Sequence, residues 1–155
     1  MINRRQVRET VLKAIYAHQL SKDTTQYVTD TIIKKAEFAK EKELRRFAEK
    51  LFFNTIEHEE ELDEVISDHI KNWDIHRLAL IDRLVLKIAI CEFIYFEEIP
   101  TKVSINEAIE IAKRYSTAKS GRFINGILDA ALTDLNEKGR INKKGRGLIQ
   151  ESLGK

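Results

Sequence analysis

The sequence predicts an all-α protein, and three observations carry that expectation. Chain breakers are scarce: one proline and six glycines in 155 residues, too few for a sheet-and-turn architecture. Apolar residues recur at spacings of three and four along most of the chain, the period of a helix with one buried face. The composition is 43% hydrophobic and 34% charged, which suits helices with heavily solvated outer faces around an ordinary globular core. The length fits one compact domain or two small helical halves sharing a core.

Each element follows from its own pattern. A first helix is expected from about Asn3 to Leu20, with Asn3 as N-cap and Val7, Val11 and Ile15 repeating every fourth residue, widened by Leu12 and Ala14. The polar run Ser21 to Thr25 breaks it. A second helix is expected over Gln26–Phe38 and a third over Glu43–Glu57, burying Leu44, Phe47, Ala48, Leu51 and Phe52. A fourth, Glu59–Ile70, buries Leu62, Val65, Ile66 and Ile70, and Trp73 and Ile75 fall in the connection that follows. The fifth, about Arg77–Glu97, is apolar on nearly all sides (Leu78, Ile81, Leu84, Val85, Ile88, Phe93, Tyr95) and so belongs at the centre of the bundle. Ile99-Pro100 is expected to close it, because proline disfavours helical geometry in the residue before it. Ser104 and Glu107 have the spacing of a capping box for the sixth helix, with Val103 stapling onto Ala108. The seventh runs from about Gly121 to Asn136, burying Ile124, Ile127, Leu128, Ala131 and Leu135. Within it Gly126 costs roughly 1 kcal/mol relative to alanine and implies a close helix–helix approach. A helical domain of residues 1–136 is thus expected, in subdomains of about 1–57 and 58–136, with residues 137–155 as a basic, flexible tail.

The net charge of +2 is uninformative, but its distribution is not. Residues 1–20 carry Arg4, Arg5, Arg8 and Lys13 against Glu9 alone, and residues 138–155 carry six basic residues against Glu151 alone. An acidic stretch opens between them at His58-Glu59-Glu60-Glu61. Cys91 is the single cysteine, which rules out an intrachain disulfide and a cysteine-cluster zinc site. His18, His58, His69 and His76 have no paired metal-ligand spacing. The N-terminus lacks the apolar run of a signal peptide, and the most apolar stretch, Leu78 to Phe96, is interrupted by Asp82, Arg83, Lys87 and Glu92, too many charges for a membrane span. A cytoplasmic location is expected. No glycine-rich phosphate loop, nucleophile elbow or Cys/His pair is present, and Glu59, Glu60 and Glu61 suit a solvated helix start better than acid–base work. No catalytic activity, cofactor or metal is expected.

Two clusters break local rules and are candidate binding sites. Arg4, Arg5 and Arg8 stand at a helix N-terminus, where the dipole makes a cation unfavourable by about 0.3–1 kcal/mol if exposed. The same arrangement of backbone N–H groups, dipole and guanidinium forks suits phosphate. The alternative is a solvated basic end paired with the acidic stretch. The second cluster joins helices six and seven: Lys113, Arg114, Tyr115, Lys119, Arg122 and Phe123. Aromatic rings beside cations suit unstacked RNA bases and their phosphates; the alternative, that both rings are core or loop-packing residues, is the stronger one for this cluster taken alone.

These clusters lie inside longer strings. Arg4-Arg5-Gln6-Val7-Arg8-Glu9 through Tyr16 and Gln19-Leu20 resembles the arginine-rich opening helix of the NusB family. Asp82-Arg83, Leu86-Lys87-Ile88-Ala89 and Glu92 resemble its central helix. Ile99-Pro100-Thr101-Lys102-Val103-Ser104-Ile105-Asn106-Glu107-Ala108 and Phe123-Ile124-Asn125-Gly126-Ile127-Leu128-Asp129 are similar to its C-terminal strings, so the likeness spans about residues 3–135. The resemblance implies an all-helical fold of three plus four helices. It also implies transcription antitermination by binding boxA RNA together with the ribosomal protein NusE, in an assembly with NusA, NusG and RNA polymerase. Carried onto this chain, it implies RNA contacts from Arg4, Arg5 and Arg8 with Lys13 and Tyr16 nearby, from Tyr115, Lys119 and Phe123, and from Lys102, with Asp82 facing NusE. Lys119 departs from relatives that carry an acidic residue there. The basic tail lies outside the family pattern and is expected to add nonspecific attraction to phosphate. Whether the chain forms a homodimer is open from sequence.

Three other functions compete. A NusB-like domain of an RNA cytosine methyltransferase would need a separate cofactor-binding domain, which is not expected here. A protein-interaction adaptor would use the helical faces without RNA. A DNA-binding helix-turn-helix protein would gather its basic residues on one recognition helix, and these do not gather so.

Overall fold

The computed structural model describes residues 3–70 and 78–148, and it is helical throughout, with no strand among the described residues. Its helices are α1 (Arg4–Ser21), α2 (Thr25–Val28), α3 (Lys42–Glu57), α4 (Glu59–Ser67), α5 (Leu80–Tyr95), α6 (Thr101–Tyr115) and α7 (Ser120–Glu137). The chain divides into two compact units, Met1–Glu57 and His58–Lys155. Trp73, Ile75, His76, Arg77, Glu151 and Lys155 lie outside the described residues.

In the first unit α1 packs along α3, burying Val7, Val11, Leu12, Ala14 and Ile15 on one side and Phe47, Ala48, Leu51 and Phe52 on the other. Asn3 caps α1 as expected, its Oδ1 accepting from the Gln6 N–H at 3.2 Å while its own N–H donates to Gln6 Oε1 at 2.8 Å. The expected second helix is not continuous. Thr24 caps a single α-turn, α2, which widens into a π-turn over Thr29–Ile33, and a 3-10 turn follows at Glu37–Lys40. Val28, Thr29, Thr31, Ile32 and Ile33 explain this, since β-branched side chains crowd the preceding turn. Thr31 Oγ1 also donates to the Tyr27 carbonyl at 2.8 Å, offering the backbone an alternative partner.

The second unit is built round α5, which packs against α4, α6 and α7. Leu84, Leu86 and Ile90 are fully buried in it, as its apolar circumference predicts. Two of its interior charges are held by neighbouring helices. Lys87, 1% exposed, lies 2.9 Å from Glu59 and 3.1 Å from Asp63 on α4, and Glu92 accepts from Ser104 Oγ at 2.7 Å. That last bond corrects the start of α6. Ser104 is no cap: the helix begins at Thr101, with Pro100 at the N-cap in extended geometry. Proline's fixed φ and missing N–H suit that position, so Pro100 opens α6 rather than closing α5, which has ended at Tyr95. α4 likewise stops at Ser67, short of Ile70. Gly126 has open space where a Cβ would stand, so the expected close approach is not made there by any described helix. The close approach is at Gly121, whose Cβ would lie 3.2 Å from Ile109 Cγ2 and from Lys113 Cε of α6.

The segment after α7 is not loose over residues 140–148. Lys143 is buried, its Nζ donating to the carbonyls of Glu92 at 2.9 Å and Phe96 at 2.6 Å, and the Lys144 N–H donates to the Glu97 carbonyl at 3.0 Å. Gly147, in a 3-10 turn over Gly145–Leu148, passes so close to the Glu97 carbonyl that a Cβ would collide with it. Arg140 meets Glu61 at 2.6 Å. Glu61 also accepts from Tyr95, whose ring stacks on His58 at 4.2 Å. Burial, then the bond to Glu61, push the Tyr95 hydroxyl up to about 12.

Candidate functional site

The first turn of α1 carries no acidic residue, so nothing in it offsets the positive end of the helix dipole. Arg4 and Arg5 are exposed there, as is Lys13 two turns on. Tyr16, 39% exposed, falls about three turns from Arg5 and returns to the same face of the helix. Arg8 is placed differently. It is 3% exposed, and its guanidinium stands 5.3 Å from the centroid of the Phe47 ring, over which Arg4 also lies at 4.4 Å. A cation over an aromatic face gains about 0.5–1 kcal/mol when exposed and about 2 when desolvated, enough to offset the dipole penalty of about 0.3–1 kcal/mol on Arg4 in the first turn. Phe47 reads as simple core in the sequence. Its partners stand 43 and 39 positions earlier in the chain, beyond the reach of any local pattern.

In the second unit, Lys119, Ser120 and Phe123 at the α6–α7 junction meet Asp82 from the start of α5. With Leu78, Ala79 and Thr117 they line a cleft of about 230 Å³. Phe123 is 37% exposed, and Lys119 and Arg122 are exposed. Ser120, which no local pattern in the sequence marks, is the hub. Its hydroxyl lies 3.1 Å from Asp82 Oδ2 as donor and within hydrogen-bond range of the Thr117 N–H and the Ser116 and Thr117 hydroxyls. Asp82 is 8% exposed, and its Oδ1 is buried with no hydrogen-bond partner among the described residues. An unmatched carboxylate oxygen of this kind is costly unless a donor reaches it. Tyr115 is half-buried, with Arg114 5.5 Å from its ring centroid. Lys102 is exposed at the opposite end of α6, about 20 Å along the helix from Tyr115, and is not part of this cluster.

The other candidates have structural roles. His18 Nδ1 lies 2.8 Å from the Asp23 carbonyl and His69 Nδ1 the same distance from the Val65 carbonyl. Among the described residues no group of three or more His, Cys, Asp or Glu could hold a metal ion. Glu59 and Glu61 are engaged by Lys87 and Arg140. No described helix is long and apolar enough to cross a membrane.

Comparison with known proteins agrees with the fold and the strings. The NusB family model matches residues 5–133. The transcription antitermination protein NusB of Salinibacter ruber is 48% identical over 149 residues, 96% of this chain and 92% of the relative. That of Chloroherpeton thalassium is 43% identical over 149 residues, covering 96% and 70%. The solved structure of T. maritima NusB superposes with a TM-score of 0.78 at 34% identity, over 86% of this chain and 92% of that one. A structure of NusB and NusE in complex with double-stranded RNA shares the fold, with a TM-score of 0.74 at 24% identity over 84% and 96%. The chain belongs to the NusB family, whose members named here are transcription antitermination proteins rather than enzymes.

Proposed function

We propose that this chain works in transcription antitermination by binding a boxA-type single-stranded RNA together with a NusE-type ribosomal protein, in an assembly with NusA, NusG and RNA polymerase. The observation that carries the reading is the pair Arg4 and Arg5, exposed on a capped helix N-terminus with no acid in its first turn. Backbone N–H groups, dipole and guanidinium forks there all favour phosphate. Lys13 and Tyr16 extend that face, while buried Arg8 supports it from below. Lys119, Arg122 and Phe123 supply a second surface, with Phe123 free to stack on a base. Tyr115 and Lys102 are lesser contributors. Asp82, at the cleft lined by Lys119 and Phe123, is the residue that the family resemblance turns toward the NusE-type protein. A fold neighbour was solved with such a partner and RNA, which supports the choice of partner. Homodimerisation of the free protein is a further state this reading allows.

The test is fluorescence-anisotropy titration of a labelled boxA RNA and a scrambled control, with and without NusE. Preference for boxA, strengthened by NusE, is the expected result. Arg4→Ala/Arg5→Ala should weaken it and lower the slope of log K against log salt by about 0.7 for each phosphate no longer neutralised. Equal, weak binding to both RNAs, indifferent to NusE and the arginines, would instead make the chain a protein adaptor. Phe123→Ala should cost about 1–3 kcal/mol of binding if the ring stacks on a base; a folded variant that binds normally would reduce the ring to packing.

A further inference from the structure

Two guanidinium groups share one aromatic ring in the first unit. Arg4 lies 4.4 Å and Arg8 5.3 Å from the centroid of Phe47, and Phe47 itself is 6% exposed on α3. Arg4 and Arg8 are one turn apart on α1, a spacing at which like charges repel, and Arg4, at the first helical position, stands where the dipole disfavours a cation. Without a contact to hold it, an exposed arginine such as Arg4 would splay into solvent and would lose rotamer freedom on meeting a phosphate. The quadrupole of a buried ring attracts both cations at once. A leucine or methionine at position 47 would fill the same space between α1 and α3 but would exert no such attraction.

We propose that Phe47 is a positioning residue for RNA binding: its ring holds the Arg4 and Arg8 guanidinium groups in place before the phosphate arrives. Resting on the RNA-binding reading above, the inference adds the source of the site's order. Arg8, nearly buried, anchors the pair from beneath, and Arg4, exposed, presents the held fork. Preorganisation of this kind raises affinity by removing the ordering cost of binding rather than by supplying a new interaction.

The test compares Phe47→Leu, Phe47→Tyr and Arg4→Ala, singly and as the Phe47→Leu/Arg4→Ala double variant. All are titrated with the labelled boxA RNA at a temperature where circular dichroism finds each fully folded. Phe47→Leu is expected to bind about three- to tenfold more weakly, the affinity equivalent of having to order one rotamer-rich side chain on binding. Phe47→Tyr, which keeps the ring, should bind like the parent. In the Arg4→Ala background, Phe47→Leu should have a clearly smaller effect, since coupled residues are non-additive. Parent-like binding by Phe47→Leu, equal weakening by Leu and Tyr, or full additivity with Arg4→Ala would each overturn the inference. Failure of the underlying reading looks different: Arg4→Ala/Arg5→Ala would then bind RNA as the parent does.

Discussion

Replacing Lys143 by methionine should destabilise the protein by about 2–3 kcal/mol, near the value of one or two hydrogen bonds to a charged donor. Lys143 reaches back from the segment after α7 to the last turn of α5, where helix carbonyls lack intrahelical donors. Its ammonium donates to the Glu92 and Phe96 carbonyls at 2.9 and 2.6 Å. A cation there also meets the negative end of the helix dipole. Methionine keeps the length and apolar stem but removes the donor. The loss is bounded because neither carbonyl would be wholly orphaned: each also accepts a backbone N–H at 3.2 Å, from Phe96 and Ile99 respectively. For a chain of this length the melting temperature should fall by about 5–10 °C, read by thermal and urea unfolding. An unchanged melting temperature would mean that the segment contributes no stability and that water serves the carbonyls equally well. A fall that leaves the salt dependence of RNA binding intact would separate this structural lysine from the phosphate-attracting role expected of a basic tail.

What the sequence could reveal here was set by the range of the interaction involved. α1 is legible because its cap and its apolar stripe are both local: Asn3 and Gln6 bond across three residues, and Val7, Val11 and Ile15 lie one turn apart. α5 is legible because its whole circumference is apolar. The second helix misled because its hydrophobic spacing is helical while its run of β-branched residues resists a regular α-turn. Ser104 misled because the S-x-x-E pattern does not reveal that a buried Glu92, twelve residues back, claims the hydroxyl. The docking of Lys143 joins residues 47 apart through a backbone carbonyl, which no residue type signals. The candidate site divides the same way. Its cations and rings stood out as local oddities, whereas Ser120 joins Asp82 across 38 positions, and only the fold brings them to one cleft. Arg8 and Phe47 follow suit: the arginine was conspicuous, its burial and its ring were not.

Phe52→Ala is the core substitution with the largest expected effect, about 3–5 kcal/mol, the range for deleting a fully buried phenyl ring. Phe52 is 0% exposed on α3. The His18 ring meets it edge-on at 6.2 Å, with planes at 90°, and Phe53 lies 5.6 Å away, so a cavity there removes aromatic packing as well as buried area. Both ring neighbours are held by their own helices, α1 and α3, which limits collapse into the space and keeps the expected cost toward the upper end. A drop of under 1 kcal/mol in urea unfolding would show that the helices close over the gap after all. The same variant is a control for the arginine surface. Phe52 and Phe47 are both buried on α3, but the guanidinium groups of Arg4 and Arg8 stand over Phe47. Phe52→Ala should therefore lower stability far more than Phe47→Leu while leaving RNA affinity unchanged wherever the protein is fully folded. If both substitutions weaken RNA binding in proportion to the stability they remove, RNA binding tracks the integrity of the first unit as a whole, and no special role is left for the ring beneath the arginines.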